Sequence, residues 1–254
     1  MKDKCILIDC VSNDYIYFEN IDKASQISTH KGNISIDDIN NYPAGSVIHT
    51  HKGHPYRLTD VDLHDYIMFG LKRETQIVYP KDSFFISGYL GLKNGDKVFE
   101  CGLGSGAMAM VMANSVAPDG KIFSYEKRER FIELAKDNLK FDNLINFVEF
   151  SNKDLEVDEI GEGDFDAAFV DSKEPWNILR KVSDSLKAGK KMCILVPTFN
   201  QVIEVLKELK RIHHFDIAVK EIFIRDFKTL PDRVRPEDRM VAHTGFIIFS
   251  RKGV

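Results

Sequence analysis

A short apolar strand that runs directly into three closely spaced glycines and then into a helix constrains this chain more than any other feature. Lys97-Val98-Phe99-Glu100 has the character of a buried strand. Cys101-Gly102-Leu103-Gly104-Ser105-Gly106 follows, and Ala107–Val116 reads as a helix rich in Ala and Met. Glycines placed between a strand and a helix let the backbone turn tightly and approach a ligand, while the first helical turn, Ala107 and Met108, offers its amides. The unit therefore predicts an α/β fold with a ligand site beyond the strand's carboxyl end. Taken alone, Gly102 to Ala107 also fits the dinucleotide pattern G-x-G-x-x-G/A, so the loop does not by itself distinguish a dehydrogenase from a methyltransferase.

The flanking sequence extends the pattern. Lys121–Tyr125, Asn146–Phe150, Asp166–Val170 and Met192–Val196 read as strands. Helices are expected at Arg128–Phe141, about 176–187 and about 200–212. Such alternation builds a mostly parallel sheet with right-handed crossovers. Near the C-terminus, strands at Ile217–Ile224 and Gly245–Phe249 flank a polar loop, which predicts an antiparallel pair at one sheet edge, the order of class I, Rossmann-like methyltransferases. The first 65 or so residues differ: Cys5–Ile8, Tyr15–Phe18 and Ser46–His49 are β-rich and are broken by Asn13-Asp14, Gly32-Asn33 and Pro43-Ala44-Gly45. The expected organisation is a small β domain over residues 1–70 and a methyltransferase domain over 71–254.

Carboxylates around the glycine loop favour a sulfonium donor over a dinucleotide. Glu126 ends the second strand, where an acidic group can bind ribose hydroxyls in either class. Glu100 sits two residues before the first glycine, where it could face the donor's amino-acid end. Asp154, with Leu155 beside it, follows the third strand and is placed to meet an adenine. Asp171 follows the fourth. Ser105 and Arg130, the latter near the start of the helix expected after Glu126, complete the candidate cofactor contacts. Each acid could instead cap a helix, but four at the strand ends of one sheet favour a binding site. Asp171-Ser172-Lys173-Glu174-Pro175-Trp176 is not the Asn/Asp-Pro-Pro-Tyr loop of exocyclic-amine methyltransferases, and it has no cysteine for C5-pyrimidine chemistry.

Other classes are set aside on composition. No run of about 18 apolar residues exists, so no membrane span is expected. Met1-Lys2-Asp3-Lys4 and the short apolar stretch broken by Asp9 and Cys10 make a poor secretory signal, so a cytoplasmic protein is expected. Cys5, Cys10, Cys101 and Cys193 have no metal-ligand spacing, and buried free thiols with no metal are the expectation. Residues 176–254 carry sixteen Lys/Arg against nine Asp/Glu, while residues 1–65 carry six against ten. A basic C-terminal third suits a polyanion such as RNA, although solvated helix faces would look the same.

Several segments resemble the tRNA (adenine-58-N1)-methyltransferase family in its single-polypeptide archaeal and bacterial form. They are Thr29-His30-Lys31-Gly32, Thr75-Gln76-Ile77-Val78-Tyr79-Pro80-Lys81-Asp82, Gly102–Gly106, Ser124-Tyr125-Glu126, Asp171 with Pro175-Trp176, Pro197-Thr198-Phe199-Asn200-Gln201-Val202, Arg235-Pro236 and His243-Thr244-Gly245. The resemblance implies S-adenosyl-L-methionine as donor, a T-loop adenine of tRNA as target (in some archaeal members the neighbouring position 57 as well) and a homotetramer. Methylation at N1 leaves a cationic adenine, which a carboxylate beside N6 would stabilise; Asp171 is the residue expected there. Tyr79 matches the family tyrosine near the target base, with stacking as its implied role. Lys81, Arg233, Arg235, Arg239 and His243 are the candidate RNA contacts. Two departures stand out: Leu103 replaces a family threonine in the glycine loop, and the loop after Asp171 lacks the family's first proline. A non-catalytic tRNA-binding subunit would be expected to lose the glycines and acids retained here. A class I methyltransferase acting on a small molecule or on protein would leave the small β domain without an obvious purpose.

Overall fold

The computed structural model describes residues 3–21, 24–240 and 242–254. The chain forms two compact units, Met1–Leu71 and Lys72–Val254. In the first unit, strands β1 (Lys4–Asp9), β2 (Tyr15–Glu19), β3 (Gln26–Thr29) and β4 (Gly32–Ser35) precede a short helix α1 (Ile36–Asn41), followed by β5 (Val47–His49) and β6 (Pro55–Thr59). A four-stranded antiparallel sheet has the order β2-β1-β6-β5, and β3 and β4 form a separate hairpin. Alternate residues of these strands (Cys5, Leu7, Ile34, Ile48, Tyr56 and Leu58) form one apolar cluster. Ser35 caps α1 by accepting from the Asp37 amide. The unit ends in a short helix α2 (Leu63–Asp65) that continues into a π-helical turn, Tyr66–Gly70.

The second unit begins with helix α3 (Pro80–Leu90) and continues β7 (Lys97–Cys101), α4 (Ala107–Val116), β8 (Lys121–Glu126), α5 (Glu129–Leu139), β9 (Val148–Asn152), β10 (Phe165–Val170), α6 (Leu179–Ser185), β11 (Leu186–Val196), α7 (Phe199–Arg211), β12 (Phe215–Lys220), a two-residue ribbon β13 (Phe227–Lys228) and β14 (Arg235–Pro236), and β15 (Phe246–Arg251). The seven-stranded sheet runs β12-β15-β11-β10-β7-β8-β9. Its five strands from β11 to β9 are parallel, whereas β15 inserts antiparallel between β11 and β12. The antiparallel insertion is the class I methyltransferase arrangement and departs from the open 3-2-1-4-5-6 order of dinucleotide-binding sheets. Strand order reverses between β7 and β10, so the crevice at their carboxyl ends is where a ligand is expected.

Three elements differ from the sequence-based expectation for physical reasons. Helix α3 gave no apolar stripe because its pattern is inverted: Ser83, Ile86 and Ser87 face inward while Phe84 and Phe85 are exposed. Small residues let it sit close to α4, where Ser87 and Ser115 share a hydrogen bond of 2.8 Å. β9 starts two residues later than the apolar run suggested, because Phe141–Phe147 coils as a 3-10 turn with Asp142 and Asn143 at positive φ. The stretch expected as one helix over 176–187 is a turn, Pro175–Asn177, followed by the short α6, and β11 is correspondingly longer. No described helix is long and apolar enough to cross a membrane.

Candidate active site

Strand alternation and register place four polar side chains on one face of the sheet. Glu100 pairs with Ser124 on β8 and Phe169 on β10. Counting two residues onward along each strand puts Glu126 and Asp171 on that same face. The strand tips are tied together: the Asp171 amide donates to the Cys101 carbonyl at 2.8 Å, and the Gly102 amide to the Tyr125 carbonyl at 3.1 Å. Gly102 has φ of +92°, and a Cβ there would lie 1.8 Å from the Asp171 carbonyl oxygen, so no other residue fits. Gly104 also has positive φ, but a Cβ there would meet nothing within 4 Å. The first glycine therefore serves the protein's own packing, and the second faces open space.

Beneath this loop the polar chemistry is incomplete. Glu100 is fully buried, and neither carboxylate oxygen has a hydrogen-bond partner among the described residues; the same holds for Oγ of Ser105 and Ser124. Burial pushes the Glu100 carboxyl up to about 7; the nearby Ser124 hydroxyl, short of hydrogen-bond geometry, works the other way, and the charges of Asp171 and Glu126 add to the rise. Asp171 is raised to about 6, first by burial and then by Glu126. Glu126 is buried and accepts from the Arg128 amide and Nε at 3.0 and 3.1 Å, and its other oxygen lies 3.5 Å from the Gly104 amide. Orphaned buried carboxylates are costly unless something cationic or proton-donating meets them. The cluster suits a ligand with a positive charge and hydroxyl groups, as S-adenosylmethionine has.

The remaining candidates fall into three groups. Ala107 and Met108 are buried at the start of α4, whose first amides lack intrahelical acceptors. Leu103 is also buried, so the position that departs from the family contributes packing. Asp154 accepts from the Glu156 amide at 3.2 Å, its amide donates to Asp158, and Lys127 lies 3.6 Å from its carboxylate; Leu155 is buried beside it. Arg130 is exposed, with its guanidinium 3.8 Å from Glu74, so Arg128 is the basic side chain at Glu126.

Tyr79 occupies the N-cap position of α3 without a side-chain capping bond and is half-buried, its hydroxyl 3.4 Å from Gln76 Oε1. Lys81 is turned inward: its ammonium donates to Asp82, to the Ile222 carbonyl at 2.9 Å and to Thr244 Oγ1 at 2.7 Å. Three donors are thereby engaged, clasping the 221–244 excursion to α3. His243 places one ring nitrogen 2.6 Å from Glu221 and the other 2.8 Å from the Pro197 carbonyl. Two acceptors require two protons, and the bond to Glu221 holds the imidazole's pKa above its usual range. Arg233, Arg235 and Arg239 are exposed, and Arg235 pairs with Asp238.

Sequence reading missed two positioning residues. Asn138, fully buried, donates to the carbonyls of Ser105 and Lys72 at 2.8 Å and accepts from the Lys72 amide, which fixes the far side of the glycine loop. Its signal was available: it is an amide on the buried face of α5, in line with Phe131 and Ala135. Gln201 of α7 donates to the Lys173 carbonyl at 2.9 Å and restrains the loop that lacks the family proline.

Residues 66–244 match the family described as tRNA methyltransferase complex GCD14 subunit. The chain belongs to this tRNA methyltransferase family. Relatives of the family span the whole length: a tRNA (adenine(57)-N(1)/adenine(58)-N(1))-methyltransferase TrmI of Methanocaldococcus jannaschii is 30% identical over 97% of this chain and 94% of its own. Among solved structures, a SAM-dependent O-methyltransferase of Thermotoga maritima is 39% identical with a TM-score of 0.94, covering 100% of this chain and 95% of that one. The tRNA (m1A58) methyltransferase TrmI of Aquifex aeolicus is 36% identical with a TM-score of 0.88, covering 98% and 96%.

Proposed function

We propose that this protein transfers a methyl group from S-adenosylmethionine to N1 of adenine 58 in tRNA. The observation that carries the reading is the match, over nearly the full length of each chain, to the Methanocaldococcus and Aquifex enzymes named for that position. When bound, the donor supplies an electrophilic methyl group on a sulfonium. The chain's residues divide the remaining work. Glu100 meets the donor's cationic amino-acid end, Gly104 makes room for it, and Ser105, Gly106, Ala107 and Met108 surround it. Glu126 binds the ribose hydroxyls, and Asp154 with Leu155 receives the adenine. Asp171 faces the target base, where its carboxylate stabilises the positive charge that develops across N1 and N6. Tyr79 stacks on the extruded base; extrusion from the tRNA elbow costs a few kcal/mol that other RNA contacts offset. The protein works in the cytoplasm as a homotetramer, a state supported by the exposed apolar side chains Phe223, Ile224, Phe227, Leu230 and Val234 on the 221–244 excursion.

The test is methylation of a tRNA transcript with labelled donor and mapping of the product by mass spectrometry. The expected product is 1-methyladenosine at position 58. Absence of transfer to adenine by folded protein defeats the reading, and a product on oxygen would favour the chemistry named for the Thermotoga protein. A second expectation concerns donor binding. A cation beside Glu100 lowers its pKa from about 7 in the free protein, so binding releases a proton below that pH. Donor affinity should therefore rise with pH up to about 7, by at most about tenfold per pH unit, and level off above it. Calorimetric titration of wild type and Glu100→Gln checks this: the variant should lose most of the slope, and a flat wild-type profile would remove Glu100 from the donor site.

A further inference from the structure

The tetrapeptide Thr-His-Lys-Gly occurs twice, at 29–32 and at 50–53, and the fold of the small unit brings the two copies together. The first makes the β3–β4 turn and the second the β5–β6 turn. Their local architecture is shared: the Thr29 hydroxyl accepts from the Lys31 amide at 3.0 Å, and the Thr50 hydroxyl from the Lys52 amide at 3.3 Å. The turns are also bonded to each other. The His51 amide donates to the Asn33 carbonyl at 2.8 Å, the Asn33 amide to His51 Nδ1 at 2.9 Å, and the Thr50 hydroxyl to the Lys31 carbonyl at 3.2 Å. Because His51 Nδ1 is an acceptor, its proton sits on Nε2 of an exposed ring.

The product of this docking is a rigid pair of tips. Lys31 and Lys52 are both exposed, and neither has an ion-pair partner among the described residues. The docked turns also contribute Asn33, Thr50 and His51 to an open cleft of about 600 Å³, which Ser35, Asp38 and His49 line as well. The small unit as a whole is acidic, with six Lys/Arg against ten Asp/Glu over residues 1–65, so a cationic tip here is a local feature. Asp38 argues against a bare phosphate as the cleft's occupant, since a carboxylate repels it. Asp38 does accept from a ribose 2′-hydroxyl or a base amino group, and imidazoles both donate to RNA and stack on bases. The exposed lysines of the same two turns can supply phosphate contacts, which need charge without sequence.

We propose that the paired Thr-His-Lys-Gly turns form a second RNA grip, in which Lys31 and Lys52 hold backbone phosphates and the cleft takes the sugar or base edge of one nucleotide. The inference rests on the tRNA reading above and adds a grip remote in sequence from the donor loop. The test is binding of a tRNA transcript to full-length wild type and to a Lys31→Ala/Lys52→Ala variant over a range of salt concentrations. Affinity should fall about tenfold, and the slope of log affinity against log salt should shrink by about two, one for each phosphate no longer neutralised. Binding of S-adenosylhomocysteine and the melting temperature should match wild type. A Lys31→Arg/Lys52→Arg variant should restore both affinity and slope. Wild-type affinity and slope in the alanine variant overturn the grip alone, whereas a wild-type protein that binds and methylates no tRNA overturns the functional reading and the grip with it.

Discussion

Asp171→Ala is expected to lower turnover at least about a hundredfold while donor binding and fold persist. The effect is confined to the side chain, because Asp171's structural bond is made by its main-chain amide to Cys101 at 2.8 Å and survives the substitution. At an effective dielectric of about 20, a carboxylate roughly 4 Å from a unit charge is worth about 4 kcal/mol before desolvation. Removing one such stabiliser has the scale of a hundredfold or more in rate. The pH profile gives a second handle. Burial and Glu126 raise Asp171 to about 6, and only its ionised form stabilises a cationic adenine. The rate at subsaturating donor and tRNA, which reports ionisations of the free protein, should therefore fall as pH drops through about 6, beyond the loss already due to Glu100 near 7. Glu126→Gln removes one of the two causes of that rise, so the inflection should move to lower pH in that variant. Single-turnover methylation of tRNA measures all of this. Unchanged turnover in Asp171→Ala would exclude the role assigned to it.

The candidate site was legible where the physics is local or topological. Val98 and Phe99 before Gly102 marked a buried strand, and α/β topology then obliged the residues after successive strands to converge, so Glu100, Glu126 and Asp171 could be grouped before any coordinates. What local pattern cannot show is how a long polar side chain is spent. Lys81 had the look of an RNA contact, yet Asp82, Thr244 and the Ile222 carbonyl occupy its ammonium, and two of those partners lie more than 140 residues away. Arg128 and Arg130 look alike in sequence, but Arg128 is the N-cap residue of α5 and bonds Glu126, whereas Arg130, in the first turn, lies near Glu74. Helix α3 was missed because its serines face inward and its phenylalanines outward, the reverse of the periodic signal. Thr29-His30-Lys31-Gly32 stood out as a family segment, but its pairing with the copy at 50–53 was not legible, because four residues are too short a repeat until the chain brings them together.

Gly102→Ala is expected to cost both stability and donor binding heavily, and Gly104→Ala chiefly donor binding with a smaller loss of stability. At position 102 the added Cβ would sit 1.8 Å from the Asp171 carbonyl oxygen and 2.8 Å from its carbon. Both are backbone atoms, so no rotamer change relieves the clash. The tips of β7 and β10 must part, which breaks the bond from Asp171 to Cys101, strains the Gly102–Tyr125 bond that ties the same tip to β8, and displaces the carboxylates those tips hold in register. Strain at positive φ combined with such a clash amounts to about 3 kcal/mol. For a unit of this size that lowers Tm by roughly 6–12 °C. Gly104 has φ of +53° with open space beyond it, so alanine there meets only the left-handed penalty of about 1–2 kcal/mol and projects a methyl group into the crevice. Scanning calorimetry and donor titration on the two variants separate the glycine that joins the strands from the glycine that admits the ligand. If Gly102→Ala melts with wild type, the tight apposition of β7 and β10 does not hold in solution; if Gly104→Ala binds donor as wild type does, the donor does not lie against that loop.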